Sequence, residues 1–318
     1  MSISTLPIFV KGLTKQFTRD KLALDNINLS VVDGETVGIL GNNGAGKTTL
    51  LRILATLSYP STGIVEIFGL DPRQEAHTIK EMIGYLPENF SFYPYFTVIE
   101  IIKFFEHLNP IARPDQVEYR EKIIKILLLE PYLNQKISTL SKGTLHKVGL
   151  SIILIHDPQL LLLDEPTTGL DPLVRSEVRK ILIDLTDDLD KTILISSHIL
   201  EDIEAVCDRV FFLEAGKMIS EPCWISELQE DFSKLQRLEF RCSDITTVIN
   251  KLHNNADVLF FDSKARFVDI YCKKDKTEKI TKEILIDCKN SVKVNNYPIS
   301  LEDIYILNHA KKDWVEFL

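Results

Sequence analysis

The first forty residues alternate short apolar runs with turn residues. Ile27, Leu29 and Val31 are interleaved with the polar Asn28 and Ser30, the period-two pattern of a half-buried strand, and Asp33-Gly34 marks a turn. The stretches IFVKGLTKQF, LDNINLSV and ETVGIL are therefore expected as strands across residues 6–39. Thr36–Leu40 is a mostly apolar run ending at a glycine, which suits a buried strand that feeds a loop. The period then changes. Leu50, Leu51, Leu54 and Leu57 fall at helical spacing over Thr48–Leu57, and Pro60 closes the segment. Helical spacing dominates from Thr97 to about Ile155. Val98, Ile101, Ile102 and Phe105 make one apolar face there, and Ile123, Ile124, Leu127 and Leu128 make another. Leu160–Leu163 and Thr192–Ser196 read as buried strands with a helix over 173–189 between them. This alternation predicts an α/β fold with a mostly parallel sheet and crossover helices.

The tail follows a different order. Leu235–Cys242 is expected as a strand, Ile245–Asn254 as a helix, Val258–Asp262 and Arg266–Cys272 as strands, Thr277–Cys288 as a helix and Val292–Val294 as a strand. That βαββαβ succession makes a small α+β domain, with a ferredoxin-like sandwich as the candidate. All 13 glycines lie between Gly12 and Gly216. Glycine turns are what phosphate-cradling loops need, so the chemistry is expected before the tail. Two domains are expected, 1–222 and 223–318, with the boundary near Glu221–Leu228.

Composition removes several classes. At 45% hydrophobic and 26% charged residues the chain is of ordinary globular make-up, and a net charge of −9 argues against binding nucleic acid by bulk charge. The 5 cysteines are odd in number and contain no CxxC pair, which suggests reduced thiols in a cytosolic protein. The longest apolar stretches fall far short of the ~18 residues of a membrane helix. The opening residues do not read as a signal peptide.

Two motifs carry chemistry. Gly41-Asn42-Asn43-Gly44-Ala45-Gly46-Lys47-Thr48 is a complete GxxxxGK[ST], placed after an apolar strand and before a helix. Its glycines let successive backbone N–H groups turn onto phosphate oxygens, and the helix beginning near Gly46, which continues through Thr49, aims its positive end at the same anion. Lys47 is expected on the β- and γ-phosphates and the Thr48 hydroxyl on Mg²⁺. Downstream, Leu160-Leu161-Leu162-Leu163-Asp164-Glu165 is a buried strand ending in two acids, which puts carboxylates at the edge of the sheet where ligands bind. Asp164 is expected to hold Mg²⁺, and Glu165 to polarise an attacking water as general base.

With Leu140-Ser141-Lys142-Gly143-Thr144 standing 20 residues before the Leu160 run, residues 6–222 resemble the nucleotide-binding subunit of an ATP-binding-cassette (ABC) transporter. The pentapeptide matches the family's LSGGQ at Leu140, Ser141 and Gly143 and departs from it at Lys142 and Thr144. The resemblance implies a P-loop NTPase fold with an N-terminal antiparallel β region and a helical subdomain at about 88–155. It also implies roles for further residues. Asp171, in Thr168-Gly169-Leu170-Asp171, matches the loop that joins two nucleotide sites. His198 matches the switch histidine on the γ-phosphate, and Phe17 the aromatic that stacks on adenine. Glu88 stands where the family usually has a metal-contacting glutamine.

The same resemblance implies ATP and Mg²⁺ as cofactors and head-to-tail pairing, with Ser141 and Gly143 of one copy meeting the ATP held by Lys47 of the other. It implies a homodimer or a paired ATPase subunit, a separate multispan membrane permease docked near residues 88–155, and no nucleic acid. The subunit would be cytoplasmic, held peripherally at the inner face of the membrane through that permease. The aromatics of Phe90–Phe96 suit docking or internal packing equally. Pro298-Ile299-Ser300-Leu301-Glu302-Asp303-Ile304-Tyr305 resembles the close of ABC-2-type export ATPases that carry an accessory C-terminal domain. It also reads as a helix cap, with Ser300 and Asp303 as the pair. The leading expectation is an ATPase powering export. A soluble ABC-type ATPase or an ATP sensor stays open as the alternative.

Overall fold

A computed structural model describes residues 6–18, 21–108, 114–219, 222–241, 245–252, 255–264, 267–285, 293–300 and 303–304. The chain divides into two compact units, Met1–Cys223 and Trp224–Leu318. In the first unit β1 (Ile8–Thr18) pairs antiparallel with β2 (Lys21–Val31), and β3 (Thr36–Leu40) leads through the glycine loop to α1 (Lys47–Leu54). Next come β4 (Thr62–Ile67), α2 (Ala76–Met82) and β5 (Ile83–Leu86). A helical stretch follows, with α3 (Val98–Leu108), α4 (Gln116–Ile126) and α5 (Lys142–Leu154). The unit returns to alternation in β6 (Leu160–Asp164), α6 (Pro172–Leu189), β7 (Thr192–Ser197), α7 (Leu200–Val206), β8 (Arg209–Glu214) and β9 (Lys217–Met218), with β10 (Cys223–Trp224) at its end.

The strands form two sheets there. One is antiparallel, in the order β2-β1-β4, and the other runs β10-β8-β3-β7-β6-β5. In the larger sheet β3 is parallel to β7 and β8, and β6 is parallel to β5 and β7. Every residue of β3, β6 and β7 is buried, so their apolar residues run consecutively instead of alternating with exposed polar ones. The register sets Leu40 beside Ser197 and Asp164 beside Ser196. The loops that follow β3, β5, β6 and β7 therefore leave from one edge of the sheet, the edge at which α/β sheets hold ligands.

Two expectations from periodicity need correction. α1 stops at Leu54, and Leu57 is exposed because the chain turns at Thr56, where φ is 59°. α4 stops at Ile126 with Ile123, Ile124 and Leu127 buried, whereas Leu128, at φ 54°, points to solvent. In both cases a left-handed residue redirects the backbone, which apolar spacing does not register.

The second unit contains α8 (Ile225–Asp231), β11 (Leu235–Arg241), α9 (Ile245–Leu252), β12 (Val258–Lys264), β13 (Phe267–Lys273), α10 (Thr277–Leu285) and β14 (Lys293–Pro298). Its sheet is antiparallel throughout, in the order β12-β13-β11-β14. Leu238, Phe240, Val268, Ile270 and Cys272 share one core with Val248, Leu252, Ile280 and Ile284 from the two helices. Elsewhere in this unit the carboxylate of Asp303 accepts from Arg237 Nη1 at 2.8 Å and Tyr271 OH at 3.0 Å. Ser300 and Asp303 also bond reciprocally, the geometry of a capping pair. Positions 242, 253–254, 266, 286–288 and 292, the ends of several expected elements, and residues 301, 302 and 305 of the closing motif lie outside the described residues. Among the described residues no helix is long and apolar enough to cross a membrane.

Candidate active site

The glycine loop is shaped by the close approach of β2. Gly46, the residue before α1, sits at φ 113°, and a Cβ there would come within 2.7 Å of the Ala23 carbonyl oxygen. Only glycine fits, and the turn presents the free N–H groups of the α1 N-terminus to the loop's interior. Lys47 is buried at the first position of the helix. Its Nζ donates to the Gly41 carbonyl at 2.6 Å and lies 3.0 Å from Glu165 Oε1. A cleft of about 430 Å³ opens over this loop. Phe17, Leu22, Ala23, residues 42–49, Glu88 and Glu165 line it. The volume falls within the range of small-ligand sites. Phe17 stands at the rim, 56% exposed, with Lys15 Nζ 4.9 Å from its ring centroid. Gly41 supplies its carbonyl to Lys47 beneath the cleft.

The acids arrive on the end of β6. Asp164 is buried, and its Oδ1 accepts from the Ser196 hydroxyl at 2.7 Å. Its Oδ2 is buried with no hydrogen-bond partner among the described residues. Glu165 follows at φ 52°, a left-handed conformation that costs a non-glycine residue about 1–3 kcal/mol. Its N–H is held by both the Ser196 hydroxyl, at 3.1 Å, and the Ser196 carbonyl, at 3.1 Å. The two carboxylate oxygens differ sharply. Oε2 accepts from Thr168 Oγ1 at 2.7 Å and faces His198 Nδ1 at 2.8 Å, while Oε1 faces the Lys47 ammonium and has no hydrogen-bond partner among the described residues. On β5, burial and the nearby charge of Asp164 push the Tyr85 phenol up to about 12, against the opposing pull of Arg52.

Ser196 thus joins both acids through one fully buried hydroxyl. Ser196→Ala should cost about 2 kcal/mol of stability, since it strips a donor from Asp164 and an acceptor from the Glu165 N–H. Urea denaturation of the two proteins measures this, and an unchanged midpoint would sink it.

Ser141, Gly143 and Asp171 lie outside the cleft. Ser141 caps α5 by accepting from the Thr144 N–H at 3.2 Å, and Asp171 caps α6 by accepting from the Val174 N–H at 3.1 Å. The two caps are neighbours: a Cβ on Gly143 would strike Val174 Cγ1 at 2.2 Å, and Lys142 Nζ donates to the Thr168 carbonyl at 2.8 Å. Of the aromatic run, Tyr93 and Tyr95 are exposed, whereas Phe90 and Phe92 pack with their rings tilted and centroids 5.4 Å apart, and Phe90 also meets His146. Sequence reasoning did not single out Ser196, the Thr168 hydroxyl or His146. Their partners lie across turns and strands, and a lone Ser, Thr or His carries no motif.

Similarity to known proteins agrees with this geometry. The profile of the family described as "ABC transporter" matches residues 24–168. The ABC transporter ATP-binding protein NatA of Bacillus subtilis (strain 168) is 37% identical over 216 residues, covering 66% of this chain and 87% of that protein. The bacitracin transport ATP-binding protein BcrA of Enterococcus faecalis is 30% identical over 305 residues, 96% of this chain and 97% of its own length. Among solved structures, the dimeric post-hydrolysis state of the ATP-binding cassette MJ0796 bound to ADP and Pi superposes with a TM-score of 0.61 at 26% identity, covering 69% of this chain and 98% of that one. An ordered glycine loop facing a paired-acid strand end, within a chain matched along nearly its whole length by such a subunit, identifies the family: the protein belongs to the ATP-binding subunits of ABC transporters.

Proposed function

We propose that this subunit hydrolyses ATP to drive export through a separate membrane permease, closing head to tail on a second ATPase subunit when ATP binds. The observation that carries the reading is the meeting of Lys47, Thr48, Glu88 and Glu165 in one cleft, with Asp164 beneath. ATP lies over the loop of residues 41–49, its phosphates held by the backbone N–H groups of Asn43, Gly44, Gly46, Lys47, Thr48 and Thr49 and by the Lys47 ammonium, with Asn42 and Ala45 closing the turn through their own hydrogen bond and adenine on Phe17. Glu165 Oε1 accepts a proton from the attacking water as its oxygen bonds to the γ-phosphorus and the bond to the ADP oxygen breaks. His198, aligned by Glu165 Oε2, presents its other ring nitrogen to the γ-phosphate.

Mg²⁺ fits the donors present. The unsatisfied buried Oδ2 of Asp164, the Thr48 hydroxyl and the Glu88 carboxylate are hard oxygen ligands, and Mg²⁺ commonly uses one or two carboxylates together with substrate phosphates. When bound, the ion supplies charge neutralisation on the phosphates.

The reading assigns 1–222 to nucleotide binding, with 88–155 as the helical subdomain, and 223–318 to an accessory domain. Ser141 and Gly143 meet the ATP of the paired subunit, identical or not, and Asp171 joins the two sites. The N-terminus of α5, with Ser141 and Lys142 exposed and Gly143 buried behind them, suits an anion. Tyr93 and Tyr95 offer the permease an aromatic contact, which keeps the subunit peripheral on the cytoplasmic face, and nucleic acid has no part. Support for export comes from the relative named for bacitracin transport, and support for pairing from the dimeric cassette. Light scattering of Glu165→Gln after gel filtration tests the pairing. A dimer formed only with ATP is expected, and Ser141→Arg added to it should leave a monomer. A double variant that dimerises normally would remove the trans site.

A further inference from the structure

We propose that His146 is a positioning residue for hydrolysis, holding the turn that follows Glu165 in place and tying it to the segment that follows Glu88. His146 lies in α5, five residues after Ser141, and is 4% exposed. Its Nδ1 stands 2.9 Å from the carbonyl oxygen of Pro166. A carbonyl only accepts, so Nδ1 carries the proton and the bond is a donation from the ring. Burial lowers the pKa of this histidine, which favours the neutral ring.

The bond falls at a strained point. Pro166 directly follows Glu165, whose left-handed backbone turns the carboxylate back toward Lys47 and His198. Strain of this kind persists only where the surroundings over-determine it. The Ser196 contacts fix the N–H side of Glu165, the Thr168 N–H holds its carbonyl at 3.2 Å, and His146 fixes the Pro166–Thr167 peptide one residue beyond. The opposite contact of the ring is Phe90, two residues beyond Glu88, with centroids 5.2 Å apart. One buried imidazole on the helix that Ser141 caps therefore touches both the turn that carries the base and the segment that leaves Glu88. This inference rests on the proposed role of Glu165.

Two measurements on the full chain test it. Nitrogen NMR of histidine-labelled protein, recorded without nucleotide, should show His146 as the neutral Nδ1–H tautomer. An Nε2–H tautomer would overturn the proposal. In kinetics, His146→Leu should lower kcat by about tenfold or more, the cost of a slightly misplaced base, while ATP affinity changes by less than about threefold. His146→Asn, whose amide nitrogen reaches the place of Nδ1, should recover most of the turnover. Turnover in His146→Leu within about twofold of the parent, parallel loss of ATP affinity and kcat, or a folded His146→Asn as slow as His146→Leu would each count against it. Absence of Lys47-dependent turnover in the parent would instead count against the proposed function, and the tautomer would still decide the bond to Pro166.

Discussion

Glu165→Gln should bind ATP as tightly as the parent and turn it over about 10²–10⁴-fold more slowly, the range expected for removing a general base. Glutamine preserves the shape of the side chain, and its amide oxygen can still accept from Thr168 and His198 in place of Oε2. It cannot take a proton from water. At the position of Oε1 it would set an N–H₂ group against the Lys47 ammonium, two donors facing each other across 3.0 Å in a site where both native side chains are 5% exposed. Breaking a buried pair by neutralising one member costs of the order of 3 kcal/mol. The variant should therefore melt lower than the parent without nucleotide and recover most of the difference with ATP, whose phosphates accept from both groups. Steady-state hydrolysis with parallel thermal melts measures this, and undiminished turnover would dismiss Glu165 as the base.

Lys47→Ala is expected to lower ATP affinity by about 100-fold or more. Lys47 supplies charge-assisted hydrogen bonds, each worth about 1.5–3 kcal/mol, and 1.4 kcal/mol is a factor of ten in binding. The loss is compounded because the Glu165 carboxyl, 4% exposed, is left at the cleft with no cation against Oε1. Calorimetric titration with ATP reads the effect. Binding that stays tight would refute the assignment of the phosphate loop.

How much could be read in advance divides along the range of each interaction. Gly41–Thr48 and Leu160–Glu165 were legible because each is a contiguous stretch whose spacing already implies a strand, a turn and a helix start. Glu88 needed the family resemblance, since a lone acid after Leu86-Pro87 has no signature of its own. Leu57 and Leu128 were misplaced because apolar period says nothing about a left-handed turn at Thr56 or at Leu128 itself. The partners of Ser196, Thr168 and His146 are set by strand register and by the strained turn at Glu165, which exist only in the folded chain. Phe90 followed the internal-packing alternative because His146 was within reach, while Tyr95 of the same run stayed 83% exposed.

The place of β3 between β7 and β8 also bears on how the chain comes into being. A growing chain emerges from the ribosome at about 5–20 residues per second, so the strand that launches the phosphate loop waits of the order of ten seconds for both neighbours. Until β7 emerges, Val37, Ile39 and Leu40 lack their neighbours in that strand, and the Gly41 N–H lacks the Ser197 carbonyl that anchors it. The native register of the strand before the glycine loop is therefore set only after most of the first unit has been synthesised.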